Sequence, residues 1–110
     1  MTENEELVTY VKNTMNTMLS GYFFEPNNAQ TRSSIKADVD NFLSDIYREG
    51  RLHHWAVVCD ETNNTFMTID KNEVNIDVYL QPMKAMNIVP VKVKVSGGRF
   101  IDIEAEEADK

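Results

Sequence analysis

A chain of 110 residues with 42% apolar and 26% charged side chains has the make-up of one globular domain with a single core. The formal net charge of −7 argues against sequence-independent nucleic-acid binding, which needs a basic footprint to displace phosphate counterions. No apolar run approaches the ~20 residues that span a bilayer, the acidic start MTENEELVTY is unlike a secretory signal, and the single cysteine, Cys59, has no partner for an internal disulfide.

Leu7, Val11, Met15, Met18 and Tyr22 recur at helical spacing, with Val8 and Leu19 widening the stripe. They predict an amphipathic helix from about Glu3 to Ser20. Thr2 is a candidate cap with Glu5 as its capping-box partner, and Gly21 is expected to end the helix. Next comes a connection, Tyr22-Phe23-Phe24-Glu25-Pro26-Asn27-Asn28. Pro26 keeps Glu25 out of helical geometry, and the adjacent phenylalanines need cover from the core or a partner.

A second helix is predicted from about Ala29 to Glu49. Ile35, Val39, Phe42 and Ile46 form its inner row, flanked by Leu43 and Tyr47. Arg32, Lys36, Asp40, Asn41 and Arg48 form a solvated face. Asn28 suits the N-cap and Gly50 the left-handed residue that terminates the helix.

The remainder reads as strands. The first runs from about Trp55 to Asp60, and a polar connection continues to Asn72. A strictly alternating second strand follows from about Glu73 to Gln81, stopped by Pro82. Met83 to Asn87 bridges to a third run, Ile88 to Val95, in which Pro90 and the outward Lys92 and Lys94 mark an edge. Gly97-Gly98 then separates this run from Arg99 to Glu104. That last segment is either the second half of a hairpin or a strand given to another chain. Helices first and strands after define an α+β fold, with two helices packed on one face of a small mixed β-sheet. Residues 1–96 form the domain, and residues 97–110 form a Gly-Gly hinge with an acidic tail or arm.

The search for chemistry returns little. His53 and His54 are adjacent, so they point apart and cannot chelate one metal. Cys59 closes a core strand and has no placed base, which disfavours a nucleophile. The acids around Asp60 lack calcium-loop spacing, and no glycine-rich phosphate loop precedes a helix. Asp60, Asn63 and Asn64 are better read as a turn motif bonded to its own backbone. No catalytic residue, cofactor or metal is expected, which favours a binding or assembly role over an enzyme.

Three ordered segments carry a resemblance. They are Phe24-Glu25-Pro26-Asn27-Asn28 entering the second helix; Cys59-Asp60-Glu61-Thr62-Asn63-Asn64 followed by Ile69-Asp70 and Asn72-Glu73; and the alternating strand ending in Gln81-Pro82 before the run from Ile88. Across about Leu7 to Val95 the chain resembles the C-terminal domain of contractile phage tail sheath proteins. That resemblance implies an inner sheath layer beside the tail tube in a virion tail made in the host bacterial cytoplasm. Neighbouring subunits would complete the sheet with extended arms, in rings of six. Its implied partners are itself or sheath-like subunits, the tube protein, and baseplate or tail-end proteins, with no nucleic acid and no membrane. Val91, Val93, Val95, Phe100, Ile101 and Ile103 become candidates for inter-subunit strand exchange, and Lys12, Arg32 and Lys36 for a tube-facing helix surface. Members of that family run to several hundred residues with an N-terminal arm and outer domains. This chain begins just before the first helix, so it is expected to be an excised inner domain or a small terminator or initiator protein. The alternative is a small monomeric adaptor that docks one protein through its sheet edge or Phe23 and Phe24.

Overall fold

Leu7, Val11, Met15 and Leu19 lie four residues apart, and all are buried along one side of α1 (Glu3–Leu19). The computed structural model describes residues 3–83 and 87–103. The expected Thr2 cap, part of the bridge after Met83, and the acidic tail from residue 104 lie outside the described residues. Gly21 does not terminate α1. The helix tightens into a 3-10 turn, Ser20–Tyr22, and no left-handed residue is needed there.

α2 (Ala29–Arg48) starts at Asn28, whose side chain accepts a hydrogen bond from Thr31 N at 2.8 Å. It ends before Gly50, which takes φ +80°. Its buried row is Ile35, Val39, Leu43 and Ile46. Leu43 therefore occupies the centre expected for Phe42. Phe42 is half-buried against Tyr10, and Tyr47 is exposed. The expected row steps by 4, 3 and 4 and the observed one by 4, 4 and 3, so the two share one side of the helix and part by a single step of about 100° in the third turn.

β1 (Leu52–Val58) begins three residues earlier than the apolar run suggests, because Leu52 is a core residue. A register shift between Leu52 and His54 resets the alternation, leaving both histidines outside while Trp55 and Val57 turn inward. β2 (Val74–Pro82) buries every second side chain, and β3 (Val89–Ser96) does so from Val91 onward. β4 (Arg99–Asp102) closes the set. The strands lie in the order β1-β2-β3-β4, and every pairing is antiparallel rather than mixed. The inward residues of the sheet join the helix rows in one core cluster. Each fully buried Val, Leu or Ile contributes ~1.5–3 kcal/mol of burial, opposed by ordering entropy.

Candidate functional site

Past Val58 the ladder between β1 and β2 stops, and asparagine side chains continue it. Asn63 Nδ2 donates to the carbonyls of Val58 (2.8 Å) and Asn75 (3.1 Å), while its Oδ1 accepts from Asp60 N (3.0 Å). Asn64 is 1% exposed. Its Nδ2 reaches Asp60 O and Asn75 O, and its Oδ1 accepts from Asn75 N at 2.8 Å. Asn75 Nδ2 returns a bond to Asn63 O at 3.0 Å. An amide side chain carries both donors and an acceptor, so it can stand in for a missing stretch of strand.

The connection before α2 docks onto this knot. Asn27 Nδ2 donates to Asn64 Oδ1 (3.1 Å) and to Glu73 O, and Asn27 N donates to Asn72 Oδ1 (3.3 Å). Arg32 Nη1 donates to Asn27 Oδ1, so the helix itself is tied in. Asn72 holds φ +57°, a left-handed conformation that asparagine tolerates better than most residues. The two asparagine-bearing segments, far apart in the chain, are halves of one clamp.

Asp60 is spent within its own turn. Its Oδ1 accepts from Thr62 N at 2.9 Å and from Thr62 Oγ1, and these bonds hold its carboxyl below the ordinary value of 3.8. Burial pushes the Cys59 thiol up to about 12, so it packs as a thiol rather than serving as a thiolate nucleophile. A bond to Asp38 at 2.5 Å, helped by burial, raises the Tyr22 hydroxyl to about 12. Among the described residues no group of three His, Cys, Asp or Glu side chains is placed to hold a metal ion.

At the opposite edge, Val91, Val93 and Val95 lie on the core face of β3. Phe100 is half-buried against the core, Ile101 stands opposite Lys94, and Ile103 follows the end of β4. The segment from Arg99 thus folds back on its own sheet as a hairpin. Gly97 and Gly98 take φ +59° and +72°, the pair of positive values that a two-residue turn of matching twist requires. Pro90 lies beyond the reach of β4, which pairs only from Val93 to Ser96. β3 is an edge there, and the missing N–H costs nothing.

Lys12, Arg32 and Lys36 do not form one free basic face. Lys12 pairs with Asp102 at 2.9 Å, Lys36 pairs with Asp40 at 2.9 Å, and Arg32 serves Asn27. Sequence reasoning missed α3 (Phe66–Asp70), capped by Thr65 and carrying Phe66, Met67 and Ile69 on its exposed side. With no buried residue it has no apolar periodicity to read; the Thr65-to-Thr68 spacing was its only signal. Asn27, Asn72 and Asn75 were also missed as members of the clamp, although their clustering with Asn63 and Asn64 was visible.

Helices packed on one face of a four-stranded antiparallel sheet make this a small α+β domain. The chain belongs to the phage tail sheath C-terminal domain family, whose model matches residues 5–96. It is 42% identical over 66 residues to the tail sheath protein of Vibrio phage KVP40. It is 41% identical over 66 residues to that of Enterobacteria phage T4. Each match takes in 60% of this chain and 10% of the relative, so it spans about a tenth of those proteins. No solved structure matches the chain.

Proposed function

We propose that the protein is a structural, non-catalytic subunit of a contractile phage-type tail, resident in the virion tail after synthesis in the host cytoplasm. The observation that carries this reading is the family match over residues 5–96. It assembles with copies of itself or with sheath-like subunits, in rings or helices around the tail tube, with six-fold symmetry the leading expectation. Inter-subunit strand exchange through β3 and the segment from Phe100 to Ile103 forms the links. Main-chain pairing of this kind gives strength without a large apolar patch, and a head-to-tail link closes rings or builds helices. A terminator or initiator at one end of the tail fits the same surfaces.

Electron microscopy of the concentrated chain and of a variant stopped after Ser96 tests this. Rings, helices or tubes from the full chain, absent from the truncated one, are the expected result. Normal assembly by the truncated chain removes the exchange reading. Phe24, at 91% exposure, supports a second reading as an adaptor that docks one protein. A stable monomer forming one-to-one complexes that Phe24→Ala abolishes is its signature. Phe23 is packed on the core and has no part in it.

A further inference from the structure

Of the strands, β4 has the weakest hold on the sheet. It pairs with β3 alone, from Val93↔Asp102 to Ser96↔Arg99, and none of its residues is fully buried. Segments that bury little apolar surface open at low cost while the rest of the domain stays folded. Outside the ladder Phe100 is half-buried against the core, and further contacts lie at the two ends of the strand. At its far end Lys12 Nζ of α1 stands 2.9 Å from Asp102 Oδ2. At the turn, the Phe24 ring lies over Gly98: a Cβ there would be 3.3 Å from Cε1 and 3.4 Å from Cζ.

We infer that β4 is a latch: in the closed monomer it occupies the β3 edge that the same segment of a second copy fills in the assembly. The inference rests on the strand-exchange reading and adds its regulation. The occupant is fixed by identity. Residues Gly97–Ile103 of a second copy offer the same side chains in the same register, so the closed and exchanged ladders are equivalent. The two restraints then act differently. Lys12–Asp102 is broken on opening and remade in trans, so it cancels from the equilibrium and sets the rate. The left-handed Gly97-Gly98 turn and its Phe24 contact exist only in the closed hairpin, so they set the equilibrium.

The full chain, mixed with a fluorescent synthetic peptide of residues Gly97–Ile103, separates these roles by anisotropy. Lys12→Gln is expected to take up the peptide about threefold faster at unchanged affinity, the scale of a partly exposed ion pair. Gly98→Ala, which strains the positive φ of the closed turn, is expected to bind about fivefold more tightly. A Lys94→Cys/Ile101→Cys chain, cross-linked across directly opposed positions, is expected to bind only after reduction. Uptake by wild type with an unchanged rate in Lys12→Gln and unchanged affinity in Gly98→Ala overturns the latch and leaves exchange standing. No uptake by wild type or the reduced double variant, or equal uptake by the oxidised one, overturns exchange and the latch with it.

Discussion

The two margins of the sheet are built on opposite principles. Where β1 meets the start of β2, the ladder is extended by Asn63, Asn64 and Asn75, and Asn27 clamps a distant connection onto it. Those bonds are buried or part-buried, and the buried side-chain polar atoms among the described residues are all satisfied. At the other margin, β4 is held by a short ladder, a partly exposed ion pair, the half-buried Phe100 and a two-glycine turn. A buried, fully bonded network is costly to disturb because each lost partner strands another group out of reach of water. A solvated edge has no such penalty. The domain thus joins a margin held by a dense side-chain network to one held lightly and open to solvent.

Breaking the asparagine margin is expected to have the largest effect. Asn64→Ala strands the Asn75 amide and removes an acceptor of Asn27 Nδ2, while Asp60 O keeps the backbone N–H of residue 64, and should lower unfolding free energy by about 2–4 kcal/mol, measured by urea denaturation. Asn64→Asp should not rescue it, since a carboxylate cannot donate to the carbonyls that the amide serves. Removing β4 by stopping after Ser96 should cost only about 1–2 kcal/mol, for the partial burial of Phe100, and leave a cooperative unfolding transition. A loss as large as that of Asn64→Ala would erase the contrast between the margins. Lys12→Gln should be smaller again, about 0.5 kcal/mol, and the change should vanish in high salt.

The mildest probe is pH. The Asp60 carboxyl is depressed by its bonds to Thr62, so its folded value lies below the unfolded one. Its contribution is therefore present above the ordinary value of 3.8 and fades as pH falls through the lower folded value. The advantage of wild type over Asp60→Asn in urea midpoint should be small at neutral pH and gone in strong acid. An advantage that grows in acid would reverse the assignment.

Local signals were legible because they need only neighbours in the chain. Asn28 and Gly50 bound α2 because capping and left-handed geometry are decided within one turn. The alternation in β2 and β3 announced a face on the core, and the asparagine pair after Asp60 announced a turn bonded to its own backbone. The same logic explains the errors. Whether Phe42 or Leu43 lies at the centre of α2 depends on how the helix is rotated against the sheet, and periodicity leaves that angle free by about one residue step. α3 has no buried face to create a pattern.

What the sequence determined by itself was the composition of the fold: amphipathic helices, alternating strands, the caps and turns between them, and the family to which their order belongs. Only the tertiary structure decided which distant groups meet. Asn27 and Asn64 lie 37 residues apart and share a bond because α2 and the β1–β2 connection pack together. Gly97-Gly98 suited both a hairpin and a departing arm; the structure forms the hairpin, with Asp102 brought to Lys12 of α1 and Phe100 against the core, contacts that no local pattern encodes. Caps and periodicity are set by a few neighbouring dihedral angles, whereas a long-range pair is set by the packing of the whole core.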